Sequence, residues 1–221
     1  MDVDTEKPSL AGVELIVKTM AETVIANENY FCELDAVVGD GDFGYSLARG
    51  FEIVLKDFDT FDRASVGAFL KRIGIVIASR VGGTSGPLWG TAFMRAGAAA
   101  GEHATLAPTD CIRMLRAAVE GIMQRGGASL GDKTLLDSFV PAIDALEAGF
   151  NEPVVDRCAT LRSAADVATR AARETASLIA KRGRASYTGE RSIGSPDAGA
   201  VAVAVILQEI TRAWLTARNW K

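Results

Sequence analysis

Apolar residues recur every three or four positions along most of the chain, which is the spacing of one face of an α-helix. Strand-like alternation of apolar and polar residues is scarce, and three alanine-rich stretches favour helices that pack closely. The pattern predicts an all-α protein. Its clearest apolar runs are Leu10, Val13, Ile16, Met20 and Val24; Ile112, Leu115, Val119 and Ile122; and Val203, Ile206, Ile210 and Trp214.

The same pattern predicts about eight helices separated by glycine-rich junctions. The helices are expected near residues 9–31, 46–57, 64–80, 87–101, 109–125, 133–149, 158–182 and 197–218. The junctions lie at residues 39–44, 82–90, 126–132 and 183–199. Because no internal repeat or long linker interrupts the pattern, we expect residues 1–221 to form a single domain.

Composition narrows the class of protein. The 221 residues are 48% hydrophobic and 24% charged, enough to bury a substantial core. The net charge of -4 and the absence of a run of lysine and arginine argue against nucleic-acid binding. The three cysteines (Cys32, Cys111 and Cys158) lack CxxC spacing, which argues against a disulfide framework or structural zinc. We expect a cytoplasmic protein without a signal peptide or membrane span.

Three carboxylates stand within eight residues at the first junction: Asp35, Asp40 and Asp42. At neutral pH they carry about three negative charges, whose mutual repulsion must be offset by cations or by full solvation. Glycines at 39, 41 and 44 would let the chain turn the carboxylates inward. The cluster predicts a hard divalent cation, with magnesium favoured. The alternative is a solvated acidic turn.

Other metal and nucleophile chemistries fit poorly. A calcium-binding EF-hand loop that began at Asp40 would place Gly44 and Phe51 at two positions that need oxygen ligands. The single histidine, His103, is expected at a helix end, so neither a catalytic triad nor a histidine-rich zinc site can be assembled. Phosphoryl chemistry would have to depend on metal charge, backbone donors and arginine.

The second junction, residues 82–90 (GGTSGPLWG), precedes a helix. A glycine-rich loop that leads into a helix N-terminus presents free backbone N–H groups, which suit phosphate, and Thr84 and Ser85 add hydroxyl groups. The run is neither a Walker A loop nor a dinucleotide-binding fingerprint. A tight turn with close helix packing is an equally good interpretation.

The last two junctions carry charged residues. At the third, Asp132, Lys133 and Thr134 stand at a helix start, where a functional role is as good an interpretation as a helix cap from Thr134 or Asp132 that leaves Lys133 exposed. At the fourth, Arg184 or Arg191 could close over a nucleotide, because a guanidinium binds phosphate oxygens bidentately. The alternative for both arginines is a solvated surface loop.

Taken in series, the four junctions closely resemble the L subunits of dihydroxyacetone kinases, the nucleotide-binding half of those enzymes. The matching runs occur in the family's order and span nearly the whole chain. They are residues 33–42 (ELDAVVGDGD), 82–90 (GGTSGPLWG), 131–134 (GDKT) and 183–194 (GRASYTGERSIG).

The resemblance implies an antiparallel barrel of eight helices that binds ADP or ATP at one end through two Mg²⁺ ions. It implies that Asp35, Asp40 and Asp42 are the magnesium ligands and that these carboxylates and Arg184 are catalytic. The residues implied around the nucleotide are Phe43, Gly44, Tyr45, Ser46, Thr84, Ser85, Gly126, Leu135, Arg184, Asp197, Ala198 and Gly199.

The resemblance also implies a partner, a K-type subunit that holds a small keto-sugar through its own histidine. Some L subunits keep ADP and are rephosphorylated by a phosphotransferase-system protein, whereas others exchange ATP; a separate chain fits the first group without excluding the second. A homodimer is left open. Phe43 and Ser46 depart from the histidine and asparagine common in the bacterial subunits. Two other functions remain open: a non-catalytic nucleotide-binding module that docks on a regulator protein, and a helical bundle that binds calcium incidentally.

Overall fold

The computed structural model describes residues 10–217, which form nine α-helices and three short 3₁₀ helices without a strand. The 3₁₀ helices cover Phe58–Thr60, Thr175–Ser177 and Arg184–Ser192. The α-helices are α1 (Leu10–Ala26), α2 (Glu28–Ala36), α3 (Phe43–Lys56), α4 (Val66–Arg80), α5 (Ser85–Ala100), α6 (Pro108–Gly126), α7 (Leu136–Phe150), α8 (Arg157–Glu174) and α9 (Ala198–Ala217).

Eight of these helices close into a ring. Helix α1 packs against α3, each helix from α3 to α8 packs against the next one along the chain, and α9 returns to pack against α1. The short helix α2 stands outside the ring and contacts α3 and α9. The all-α prediction and the expected eight-helix barrel are therefore confirmed.

The direction of each helix follows from the connections. From α3 to α9, neighbours in the ring are also neighbours along the chain, so successive helices run in opposite directions, as in antiparallel bundles with short loops. Helices α3, α5, α7 and α9 therefore all begin at one end of the barrel, where α2, α4, α6 and α8 finish. All four glycine-rich junctions lie at this end.

Small residues allow close contact between α4 and α5. A Cβ atom added to Gly90 would lie 2.6 Å from the Cβ of Ala78, and one added to Gly74 would lie 2.8 Å from the carbonyl oxygen of Gly90. Glycine at both positions therefore lets the two backbones touch. Larger side chains, including the fully buried Phe51 and Phe69, fill the core beside them.

The axis of the barrel holds an apolar cavity of about 340 Å³. Its lining comes from the inward faces of seven of the ring helices and includes Val17, Trp89, Phe139, Leu161 and Ile206. Helix α9 is apolar and long enough to cross a membrane, judged by length and composition alone, and half of it is buried inside the barrel. Its apolar character is accounted for by the barrel core.

Two predicted helices depart most from the structure, whereas the others differ from it by at most three residues at a described end. Residues 9 and 218, at the ends of two predicted ranges, lie outside the described part. The helix predicted over 9–31 is interrupted at Asn27, whose side-chain amide donates to the carbonyl oxygen of Thr23 (2.8 Å). The helix predicted over 158–182 ends at Glu174. There the Thr175 hydroxyl donates to the Ala172 carbonyl (2.6 Å) and accepts a hydrogen bond from the distant Asp197 amide.

Candidate metal and phosphate site

The three aspartates of the first junction come together between α2 and α3. One carboxylate oxygen from each of Asp35, Asp40 and Asp42 lies within 4.8 Å of the other two. Gly41, with a φ of +75°, turns the chain so that its amide donates to Asp35 Oδ2 (2.9 Å). Three carboxylate oxygens around one point are the donor set that a hard divalent cation prefers, so the residues present fit such an ion.

Close backbone packing holds this acidic group in place. A Cβ atom added to Gly44, in the first turn of α3, would lie 2.0 Å from the carbonyl oxygen of Glu28 in α2. A Cβ added to Gly39 would lie 2.2 Å from the Asp35 carboxylate. The two glycines therefore let α3 begin directly against α2, which brings Asp42 beside Asp35.

Arg184 reaches the acidic group from the connection between α8 and α9. Its guanidinium forms an ion pair with the Asp40 carboxylate, although 61% of the arginine side chain is exposed. Arg191, the other candidate in this connection, is exposed. The structure therefore brings Arg184 to the predicted metal ligands.

The glycine-rich connection before α5 lies beside the first turn of α3. A Cβ atom added to Gly82 would lie 3.2 Å from Ser46 Oγ, so the two segments are in near contact. Thr84 immediately precedes α5 and is exposed, and Ser85 is the first residue of that helix. Two helix N-termini with hydroxyl side chains thus stand next to each other, an arrangement that suits phosphate oxygens.

A third group of predicted residues surrounds the start of α9. A Cβ atom added to Gly199 would lie 3.1 Å from Asp197 Oδ2 and 3.3 Å from the Cβ of Leu135. Ala198 is the first residue of α9. Gly126, at the end of α6, lies against the side chain of Leu88 in α5. Close packing therefore places Asp197, Gly199 and Leu135 together.

Phe43 and Tyr45 differ in surroundings. The ring of Phe43 is partly buried against the core, with its centroid 6.2 Å from that of Phe31. Tyr45 is exposed; its amide donates to Cys32 Sγ (3.2 Å) and its ring lies under the guanidinium of Arg49. At Phe43 the aromatic side chain thus serves packing between α2 and α3.

Asp197 caps α9 from a partly buried position. Its Oδ2 accepts a hydrogen bond from the Ala200 amide (2.7 Å), and its own amide donates to Thr175 Oγ1 (2.8 Å). Burial is the main cause that raises the pKa of its carboxyl to about 7, and the nearby charge of Asp137 adds to the rise. The hydrogen bond from Ala200 and the charge of Lys133 act in the opposite direction.

The interpretation of the third junction that left Lys133 exposed is wrong. Lys133 is buried, and its ammonium group donates to backbone carbonyl oxygens in the connection between α8 and α9. Sequence reasoning missed Asp137, which accepts hydrogen bonds from the amides of Gly131 (2.5 Å) and Thr134 (2.7 Å). A carboxylate three residues after Thr134, in the first helical turn, was the signal that could have identified it.

Asp132 does not cap α7 either. It is buried, accepts a hydrogen bond from the Ser129 amide (3.0 Å) and pairs with Arg182 and Lys181. That backbone hydrogen bond, helped by the two cations, lowers the pKa of the Asp132 carboxyl. His103 is exposed in the connection between α5 and α6, at the opposite end of the barrel.

Comparison with known proteins agrees with this architecture. The DAK2 domain family model matches residues 37–212. The chain is 38% identical over 188 residues to the ADP-binding subunit DhaL of the PEP-dependent dihydroxyacetone kinase of Escherichia coli, covering 83% of this chain and 87% of that subunit. It is 35% identical over 211 residues to the D-erythrulose kinase of Mycolicibacterium smegmatis, covering 93% of this chain and 36% of that enzyme.

Solved structures show the same fold. The dihydroxyacetone kinase of C. freundii in complex with AMP-PNP and Mg²⁺ superposes with a TM-score of 0.73 at 24% identity. The match covers 95% of this chain and 35% of that one, so this chain spans about a third of the solved kinase. On the strength of the family match and of these relatives, the chain belongs to the DAK2 domain family, together with the DhaL subunits of bacterial dihydroxyacetone kinases.

Proposed function

We propose that the chain is the ADP- or ATP-binding subunit of a dihydroxyacetone-type kinase and that residues 1–221 act as one nucleotide-binding domain. In this proposal a phosphoryl group passes from the bound nucleotide to a small keto-sugar, dihydroxyacetone or a close relative, held by a K-type partner subunit. The observation that carries the proposal is the meeting of Asp35, Asp40 and Asp42 with Arg184 at the end of the barrel where α3 and α5 begin. The names of the relatives support it.

The three carboxylates would hold the magnesium, and we propose two ions. When bound, Mg²⁺ neutralises phosphate charge and links the nucleotide to the protein. Asp35 is already oriented by the Gly41 amide, Asp42 is exposed and open to a ligand, and Asp40 is exposed but paired with Arg184. The protein's own contribution is to hold these oxygens close together before the ligand arrives.

The helix N-termini would receive the phosphates. At the start of a helix the first backbone N–H groups have no intrahelical acceptor, so they can donate to phosphate oxygens. Ser46 in α3 and the pair Thr84 and Ser85 at α5 add hydroxyl donors on neighbouring segments. Leu135, Gly126 and the segment from Asp197 to Gly199 would surround the rest of the nucleotide.

Arg184 would offset the charge that develops on the transferred phosphoryl group. Its side chain is long and largely exposed, and it already stands beside Asp40. A guanidinium can donate two parallel hydrogen bonds to phosphate oxygens, which a lysine cannot do in the same plane. The proposal therefore gives Arg184 contact with both the metal ligands and the phosphate.

The sugar and the phosphoryl donor belong to partners. The only histidine of the sequence, His103, lies at the far end of the barrel, so we propose that the partner subunit supplies the group that holds the sugar. Relatives described as PEP-dependent and PTS-dependent support a phosphotransferase-system protein as donor to bound ADP. Direct use of ATP, and a homodimer of this chain, remain alternatives within the proposal.

Thermal unfolding tests the nucleotide and metal site directly. MgCl₂ with ADP is expected to raise the unfolding midpoint of the wild type, because a ligand that binds only the native state stabilises it by mass action. The shift should disappear in Asp40→Ala and persist in Glu33→Ala, an exposed acidic residue of α2 outside the cluster. An equal shift in both variants would reject the assignment of the metal ligands.

A reconstituted assay tests the kinase reaction. The purified chain is combined with a K-type subunit, dihydroxyacetone and either ATP or a phosphotransferase-system donor, and the sugar phosphate is measured. Product is expected with one of the donors. Nucleotide binding without product from any combination would favour the non-catalytic regulatory module instead.

A further inference from the structure

We propose that Lys133 is a positioning residue for Arg184: its ammonium group holds the connection between α8 and α9 in the conformation that carries Arg184 to the acidic group. The inference rests on the proposed function, because it gives Lys133 a part in nucleotide binding without contact to the nucleotide. Its basis is a set of contacts that link the third junction to the fourth.

The ammonium group of Lys133 is fully used by backbone carbonyls. Nζ donates to the carbonyl oxygens of Leu178 (3.1 Å), Ser192 and Ser195 (2.8 Å). An ammonium group has three hydrogens, so its donors and these acceptors match in number. The residue is only 2% exposed, and burial lowers the pKa of its amine while the charge of Asp197 raises it.

The backbone of Lys133 also indicates a required conformation. Its φ of +61° is the one positive φ among the non-glycine residues of the range 10–217. Such a conformation costs free energy for a residue with a side chain and persists where surrounding contacts demand it. At Lys133 these contacts are the hydrogen bonds that the amides of Gly131 and Thr134, on either side of it, donate to the Asp137 carboxylate.

The three acceptors bracket Arg184 along the chain. Leu178 precedes it, and Ser192 and Ser195 follow it, so one side chain ties both ends of the segment to one point. A second anchor is the preceding residue, Asp132, whose carbonyl oxygen accepts a hydrogen bond from the Lys181 amide (3.0 Å). The segment between the anchors becomes a closed loop with Arg184 near its tip.

The ion pair at the tip cannot replace these anchors. Arg184 is mostly exposed and Asp40 is 35% exposed, and ion pairs in such surroundings contribute little to stability because water screens them. The conformation of the segment must therefore be set by the buried contacts at its base. Removal of the Lys133 ammonium leaves three carbonyls without their donor, and the predicted consequence is a mobile segment and a displaced Arg184.

Hydrogen exchange tests the anchoring without any nucleotide. In Lys133→Met, which keeps a linear side chain without charge or donors, amides of the segment should exchange faster by about tenfold or more, since local opening becomes easier. The amides to follow are those of Ala180, Lys181 and Gly194, with helix α4 as internal reference. Arg191→Gln removes one positive charge from an exposed residue of the same segment and leaves the contacts of Lys133 and Asp132, so its exchange should stay close to wild type.

A double-mutant cycle tests whether Lys133 acts through Arg184. The dissociation constant for ADP with Mg²⁺ is measured by calorimetry for wild type, Lys133→Met, Arg184→Ala and the double variant. We expect Lys133→Met to weaken binding about tenfold in the wild-type background but less than about twofold in the Arg184→Ala background. A purely structural lysine would weaken binding equally in both, and that result overturns the inference.

The remaining outcomes are also decisive. If the wild type binds no ADP, the proposed function fails, while unchanged exchange in Lys133→Met would separately overturn the anchoring. If Lys133→Met does not fold, Lys133→Gln, which retains two amide donors, is measured in the same way. Loss of the helical circular dichroism spectrum in both variants would make Lys133 a residue of global stability and would overturn the inference.

Discussion

Arg184 and Asp40 form an ion pair that joins the connection before α9 to the connection before α3. The two residues are far apart in sequence, and each belongs to a different glycine-rich junction. Because Asp40 is also one of the three clustered carboxylates, the guanidinium and a divalent cation would both be attracted to the same oxygen atoms. Removal of the guanidinium is therefore expected to change the affinity for the metal and the affinity for the nucleotide in opposite directions.

Arg184→Gln should tighten the binding of Mn²⁺ alone and weaken the binding of ADP with Mg²⁺. The first effect follows from removal of a competing cation at Asp40, and a change of about threefold to tenfold is expected. The second follows from loss of a donor to the phosphates. Electron paramagnetic resonance measures free Mn²⁺, and calorimetry measures ADP. Arg191→Gln is the matched control, and parallel changes in both affinities would contradict the competition.

Gly44→Ala should destabilise the protein in the absence of any ligand. The new methyl group would lie 2.0 Å from the Glu28 carbonyl oxygen. Because the nearest atoms belong to the backbone of α2, they have little room to move away. The free energy of unfolding should therefore fall by about 2–4 kcal/mol. Gly126→Ala provides the contrast, because its nearest neighbour is the flexible end of Leu88 at 3.1 Å. Urea unfolding followed by circular dichroism compares the two. Equal midpoints would show that α2 and α3 can separate without cost.

Asp197→Asn should make the protein more stable at pH 8 than the wild type. Since the pKa of this carboxyl is raised from 3.8 to about 7, the native state holds a proton between about pH 4 and pH 7 that the unfolded state has released. The contribution of Asp197 to stability therefore falls as pH rises through this window. The asparagine can still cap α9 and has no such loss, so its advantage should grow with pH, to about 1–3 kcal/mol.

Asp132→Asn is a control variant for which the difference in stability from the wild type should change with pH in the opposite direction. The pKa of Asp132 is lowered, so its carboxylate stabilises the native state above the ordinary pKa of 3.8 and loses that effect in acid. The asparagine variant should be less stable than the wild type at pH 7 and approach it as pH falls below about 4. Unfolding free energies from urea titrations across about pH 2–8 test both variants. A flat difference for Asp197→Asn would refute the raised pKa.

Phe43→His should lower stability more than it changes metal affinity. The Phe43 ring packs against Phe31 and the core, so an imidazole would lose apolar contact at a cost of about 1–2 kcal/mol. The acidic cluster beside it keeps all three carboxylates. Thermal unfolding and Mn²⁺ binding, with Phe43→Leu as a size-matched apolar control, separate the two effects. Tighter Mn²⁺ binding by the histidine variant alone would show that position 43 faces the metal.

Local sequence signals were sufficient for most of the barrel, because each ring helix carries its own apolar periodicity and each glycine-rich junction marks a turn. They failed where distant residues decide the outcome. The helix that was expected to continue to residue 182 ends at Glu174 because Thr175 bonds with Asp197, and periodicity cannot reveal a partner so far along the chain. The break at Asn27 involves an ordinary polar residue without a glycine or proline beside it.

In the candidate site too, local features could be predicted from the sequence and long-range contacts could not. The Asp35, Asp40 and Asp42 cluster is compact in sequence, so charge repulsion alone was enough to predict a cation site there, and the structure brings the three carboxylates together. The role of Lys133 could not be predicted, since its acceptors are 45, 59 and 62 residues away. A buried lysine that donates to backbone carbonyls has no sequence pattern, and the sequence leaves an exposed Lys133 and a functional Lys133 equally open.

Because the ring contains an even number of antiparallel helices, the connections between them alternate between the two ends of the barrel. Every connection that carries a candidate site residue lies at one end, while residues 57–65, 101–107 and 151–156 form the other. Of these three connections, residues 151–156 are exposed throughout, so an affinity tag or fused domain placed there would lie far from the candidate site residues. The far end is thus the natural place from which to immobilise, label or extend the protein for every experiment above.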